Sequence, residues 1–206
     1  MGGGGFGPPF FLFLIMAGIK FFTQNRDYSS VIPITGIVEF LRIPFPTGEA
    51  STEVNLIRDA ACRIVEDRTG YILRTTVLEV YLDRWRSAIR IPYGPNFSVT
   101  SVTYYDALKV VQTMPSTDYS VDDIASPSLV QFHEFPTLQD RGFNSVKLTC
   151  TVGAGTAEGD IPEALHAAVK ILCGHLYENR QEVITGTIAT QIPQGADALI
   201  NPYRIL

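Results

Sequence analysis

The sequence predicts an α+β protein: a helical bundle built from its N-terminal and C-terminal helices, with a small antiparallel β-sheet or sandwich inserted between them. Two observations carry this expectation. Residues 52–69 and 161–180 repeat their apolar side chains every three or four positions, the period of an amphipathic helix. Residues 75–153 instead alternate at every second position, in short runs separated by turn residues, as half-buried strands do. The implied division is an N-terminal segment at 1–31, a helical body from 32–74 and 154–206, and an inserted antiparallel β domain at 75–153. A chain of 206 residues is long enough for a solid core of this kind.

The chain opens MGGGGFGPPFFLFLIMAGIKFF, with ten apolar or small residues running from Phe10 to Ile19. That is short of the roughly 20 apolar residues that span a bilayer. Pro8 and Pro9 precede the run, Gly18 weakens it and Lys20 interrupts it. Its length suits the apolar core of a secretory signal, but glycines stand where Lys or Arg should, and no A-x-A-like cleavage site follows. No membrane partner is expected. Two readings stay open: an apolar arm packing Phe10 to Phe22 against a partner subunit, or a start-site artefact with Met16 as the natural first residue.

Thr35 is the expected N-cap of a short helix over GIVEFLRI, ended by Pro44 and Pro46. Ser51 or Thr52 should cap the long helix that follows, with Glu53 in its first turn and Gly70 as its stop. Its inward stripe is Val54, Ile57, Ala61, Ile64 and Val65; Arg58, Asp59, Arg63, Glu66 and Asp67 are interleaved as the solvated side. In TTVLEVYLDRW, Leu78, Val80 and Leu82 point inward. AIRIP and SLVQF are short strands, and SVTSVTYYDALKVVQ is a hairpin turning near Asp106 and Ala107. NSVKLTCTVG alternates through Val146, Leu148, Cys150 and Val152. Asp160 should cap the next helix, with Pro162 in its first turn and Leu165, Ala168, Val169, Leu172 and Leu176 as its apolar stripe. After NRQE come two threonine-rich apolar stretches around Gly186, then a short helix in PQGADALINPYR stopping before Pro202.

The search for chemistry returns little. A net charge of −5 lacks the basic stripe of a nucleic-acid or anionic-membrane binder. Cys62, Cys150 and Cys173 are widely spaced, fit apolar patterns and read as buried reduced thiols. His133, His166 and His175 share no helical i, i+4 pair, so neither a metal nor another cofactor is expected. His166 reads as surface and His175 as a satisfied boundary residue. Asp122 and Asp123 point to opposite sides of a strand and read as turn chemistry. GAGTAEG precedes a helix but has no lysine and brings Glu158, so it reads as a connection rather than a phosphate loop. A hydrolase using Cys150 or His133 finds no supporting motif. Trp85 between Arg84 and Arg86 is a candidate surface anchor for a binding module using the sheet.

The run DIPEALHAAVKILCGHLYENRQEVITGTIATQIPQGADALINPYR resembles the C-terminal part of head-to-tail connector, or adaptor, proteins of tailed bacteriophages and gene-transfer agents. LRIP, RIVEDRTGYIL, TTVLEVYLDRW, the VTYYD hairpin and TDYSVDD resemble the longer, sheet-containing members in the same order, so the likeness covers residues 32–206. The first thirty residues depart from it. The resemblance implies a non-enzymatic virion protein, made in a host cytoplasm and ending in the particle neck. Such proteins dock on the portal protein as a twelve-fold ring of neighbouring subunits, let genomic double-stranded DNA pass, and receive a stopper or tail-completion protein. Carried onto this chain, the subunit and portal contacts fall on Tyr177, Asn179, Arg180, Val183, Ile184, Thr185, Gly186, Ile188, Pro202, Tyr203 and Arg204. Residues 181–206 are then expected to reach out from the body.

Overall fold

The structure, a computed structural model, describes residues 19–23, 27–139, 142–179 and 193–205. Four α-helices and eight strands lie among the described residues: β1 (Ile19–Thr23), α1 (Ile34–Leu41), α2 (Glu49–Thr69), β2 (Thr76–Leu82), β3 (Ala88–Ile91), β4 (Ser98–Tyr105), β5 (Val111–Thr113), β6 (Tyr119–Asp122), β7 (Ser128–Phe132), β8 (Val146–Val152), α3 (Glu163–Glu178) and α4 (Gln194–Ile200). The fold is α+β, as expected.

Three helix starts differ from expectation, each for a backbone reason, while α4 starts after Pro193 as the sequence suggests. Pro33, with its φ fixed at −67°, stands before α1, so Thr35 lies inside the helix rather than capping it. Gly48 takes φ 59°, ψ −129°, which only glycine adopts readily, so α2 begins ahead of Ser51 and Thr52. Asp160 does not cap α3. Its Oδ2 accepts from the Thr156 and Ala157 amides (both 2.8 Å), tying the GAGTAEG connection, and Pro162 precedes the helix. At the other ends, Arg42 and Gly70 stop α1 and α2 in the left-handed conformation. α4 ends at Ile200, before Pro202 as expected, and a separate 3-10 turn over Asn201–Tyr203 takes Pro202 early, where it lacks only an amide that has no partner.

Two sheets are present among the described residues, in the orders β1-β2-β8-β4-β5 and β3-β7-β6, and every pairing between their strands is antiparallel. Their inward side chains form one core: Leu78, Val80 and Leu82 from β2, Val146, Leu148, Cys150 and Val152 from β8, and Ile89, Val130 and Phe132 from the smaller sheet. Two strands are absent from the sequence expectation, β1 and β6. β1 changes the reading of the N-terminal segment. Ile19 to Thr23 pair with Leu82 to Leu78 of the same chain, so this part is a sheet edge and not a free arm. Tyr28 and Val31, also placed in that segment, are fully buried in the helical core.

That second core gathers the α2 stripe with Leu165, Ala168, Val169, Leu172 and Leu176 of α3 and Ala196 and Ile200 of α4. It also seals in charged groups. Arg58 and Glu66, expected on the solvated side of α2, are buried. Glu66 accepts from the Tyr28 hydroxyl (2.7 Å) and the Leu73 amide (2.8 Å), and Arg58 pairs with Asp59 at 2.8 Å. Burial of a carboxylate is sustained by such donors. The segment 70–75 leads from this core into the sheet, where Thr75 N donates to Gly155 O (2.8 Å) and Ile72 N to Gly94 O. No helix among the described residues is long and apolar enough to cross a membrane.

Candidate interaction surface

The C-terminal elements expected to reach outward are folded back onto their own body. Ala196 and Ile200 fill the helical core. Tyr203 stands edge-on to Tyr71, centroids 5.7 Å apart, and burial followed by the neighbouring Tyr203 raises the Tyr71 hydroxyl pKa. Ile205 N donates to Thr69 O at 2.7 Å. Two glycines let this tail lie so close. Gly70 has φ +72°, and a Cβ there would stand 2.6 Å from the Pro92 carbonyl oxygen; one on Gly94 would meet Ile205 Cδ1 at 2.9 Å. The expectation of a reaching tail is thus corrected for residues 193–205. The reason is a packing partner, Tyr71 with Gly70 and Gly94, that lies over a hundred positions away.

Asp197 knits this corner. Its Oδ1 lies 3.6 Å from Arg68 Nη1 and 3.8 Å from Arg204 Nη2, while its Oδ2 accepts from Asn201 (3.1 Å). Neither Asp197 nor Arg68 was singled out from sequence; the only available signal was the i, i+4 spacing of Asp197 and Asn201. Beside the tail opens a cleft of about 400 Å³, lined by Tyr71, Tyr93, Asn96, Asp123, Ile124 and Arg204 among others. Ile124 is 93% exposed on the rim, in a turn where Asp122 Oδ1 accepts from the Ile124 and Ala125 amides. Those bonds bear out turn chemistry for the Asp122–Asp123 pair. Arg204 brings a cation to this cleft, and Ile124 an exposed apolar side chain.

The remaining expected contacts divide. Tyr177 packs against the helical core, and Asn179 donates to the His175 carbonyl at 2.9 Å, closing the end of α3. His175 Nε2 is buried with no hydrogen-bond partner among the described residues, while its Nδ1 lies 3.5 Å from Asn179 Nδ2. His166 is partly buried, its Nε2 3.0 Å from Glu158 Oε1 but off the hydrogen-bonding direction; burial, then Lys170, lowers its pKa. Arg180, Val183, Ile184, Thr185, Gly186 and Ile188 lie outside the described residues. Trp85, the candidate surface anchor, is half-buried. Its indole N–H donates to Pro136 O (2.7 Å), and its ring stands edge-on to Tyr104 and Phe132, 5.5 and 5.4 Å between centroids. It pins a loop to both sheets.

The thiols weighed as nucleophiles are sealed from solvent. Cys62, Cys150 and Cys173 are free and buried. Burial pushes the Cys150 and Cys173 thiols up to about 12, and raises Cys62 well above its ordinary value. His133 Nε2 lies 3.2 Å from Ser120 Oγ on an exposed edge. No cluster of three His, Cys, Asp or Glu able to hold a metal occurs among the described residues.

No protein-family model matches this sequence, and no curated protein matches it. Solved structures do. The chain shares its α+β fold with a chain in the virion of a native gene transfer agent particle, at TM-score 0.73 and 22% identity, over 90% of this chain and 95% of the other. It matches a chain in the neck of the empty particle, computed with C6 symmetry, at 0.73 and 21% over 91% and 96%. A chain in the neck of the native particle, computed with C12 symmetry, matches at 0.70 and 22% over 91% and 96%. The fold of this protein is therefore one found in gene transfer agent necks.

Proposed function

We propose that the protein is a structural adaptor of a phage-type neck. It docks on the portal protein as one of twelve copies, extends the DNA channel and offers a platform to a stopper or tail-completion protein. The observation that carries this reading is the fold shared with gene transfer agent neck chains across nine-tenths of both chains. The C12 symmetry of one of those necks supports twelve copies. A net charge of −5 suits a wall past which double-stranded DNA slides, since few cations are present to displace its counterions. The function needs no cofactor. The sealed thiol of Cys150 speaks against hydrolase chemistry there.

In this reading Arg204 and the cleft beside it contact the portal, while Pro202 and Tyr203 hold the tail in place. Tyr177 and Asn179 set the exit of α3 toward residues 180–188. There Arg180, Val183, Ile184, Thr185, Gly186 and Ile188 would meet a neighbouring subunit. Deleting the tail is a poor test, because Ile200 and Ile205 belong to the fold. The better test is co-expression with the portal protein of the neighbouring genes, followed by sizing and electron microscopy. Wild-type protein should co-purify as a ring of about twelve copies. Arg204→Ala, which loses only an exposed 3.8 Å pair with Asp197, should weaken docking by about tenfold without moving the thermal transition. Wild-type protein that never associates with the portal overturns the reading.

A further inference from the structure

The end of the β domain remote from the helices presents apolar side chains that its core does not take up. Leu108 is 83% exposed, and Val110, Val111 and Phe135 are each more than half exposed. They lie on neighbouring segments. Gln139 N donates to Tyr105 O at 3.0 Å, and Asp106 bridges to Leu138, so the β4–β5 turn runs beside the 133–139 loop. The turn is well braced: Asp106 Oδ1 accepts from the Leu108 and Val110 amides (2.9 and 3.0 Å), and Oδ2 from Gln112 (2.8 Å). The neighbouring loop is tied through Pro136 to Trp85. A braced turn that holds a leucine out in water marks a contact surface.

The chain before Ile19 starts from the same end. Ile19 stands opposite Leu82, Leu82 opposite Val146, and Val146 opposite Tyr104 at the foot of the turn. Lys20 fixes the position, its Nζ 2.9 Å from Asn144 Oδ1 and 3.7 Å from Asp83. Four strand spacings separate β1 from β5, about 19 Å at ~4.8 Å each. Six extended residues cover about 20 Å, so the stretch from Phe10 to Gly18 reaches the tip with length to spare. That stretch contains FFLFLIM, the most apolar run of the sequence.

We propose that residues Phe10–Met16 cover the apolar tip of their own chain, with Leu108 and Phe135 as the receiving side chains. A tether of a few residues holds the segment at an effective concentration on the order of millimolar. A second copy at micromolar concentration competes poorly against that. This inference does not rest on the neck reading; it holds for the isolated protein.

Cross-linking tests it. In the full-length chain, Leu14→Cys is combined with Leu108→Cys, and in a control with Thr52→Cys on the exposed start of α2. The native thiols are buried and do not compete for a short bis-maleimide. The expected result is an intrachain Leu14–Leu108 cross-link in monomeric protein, at least about tenfold more abundant than the control link. Adding Phe11→Asp and Phe13→Asp should cut that yield several-fold, because the contact is apolar. Predominantly interchain links at micromolar protein, or a Leu108 yield no higher than the control, overturns the proposal.

Discussion

Every inward side chain of β8 is apolar, whereas the helical body encloses Arg58 and Glu66 among its apolar residues. The two regions thus solve the same burial problem by different means. The sheet satisfies its backbone through ladders, and a charge cluster on it avoids the core: Glu79 pairs with Lys147 at 2.8 Å and accepts from Tyr81. The helical body must also hold the non-helical segments on either side of it, Tyr28 and Leu73. It does so with a single carboxylate that reaches both. A buried charge here serves as a joint between segments.

The contrast can be broken most severely by hollowing each core in turn. Leu172→Ala and Leu148→Ala should each cost about 3 kcal/mol, the usual range for fully buried leucines. The single tryptophan, Trp85, packs against both sheets, so its fluorescence reports the sheets while circular dichroism reports the helices. In chemical denaturation both signals should shift together, because segment 70–75 and the Gly153–Gly155 stretch belong to both regions. Gly153, at φ +135°, lies so close to Arg74 that a Cβ there would stand 2.6 Å from its backbone. Two separated transitions would show that the cores fold independently.

A smaller effect sharpens the role of the joint. Glu66→Ala strands the buried Leu73 amide and should cost about 2 kcal/mol, whereas Glu66→Gln, which keeps an acceptor oxygen, should cost less than half of that. Equal losses for the two variants would mean that charge, not hydrogen bonding, matters at this site.

The smallest effect is a difference in acid sensitivity. His166 in α3 has its pKa lowered, first by burial, so the folded state binds fewer protons than the unfolded one. Its contribution is complete above the ordinary value of 6.5 and is lost as pH falls through the folded pKa. Glu79, lowered first by its hydrogen bond from Lys147, contributes fully above 4.5 and loses that only at more acid pH. Mild acidification between the two values should therefore weaken wild type, but not His166→Gln. Parallel pH profiles for both proteins would remove His166 as the cause.

How much could be read in advance follows from the same contrast. A two-residue period states which side of a strand faces inward, so β2, β4, β7 and β8 were legible. β6 is four residues ending at the turn-forming Asp122, and β1 has no alternation of its own; its partner β2 lies more than fifty positions away. Helix stripes showed the apolar faces of α2 and α3 but not the burial of Glu66, which depends on Tyr28 and Leu73. The same limit applied to the surface. Trp85 looked exposed between two arginines because Tyr104, Phe132 and Pro136 arrive from other parts of the chain.

The strand order β1-β2-β8-β4-β5 also has a consequence for how the molecule is made. β8, formed by residues 146–152, separates β2 from β4, and the helical core needs α3 and α4, which come later still. Neither core can close while the first two-thirds of the chain are all that has left the ribosome. β2 and β4, made earlier, must each wait with one edge unpaired for the central strand that joins them, a state in which open strand edges invite misassembly.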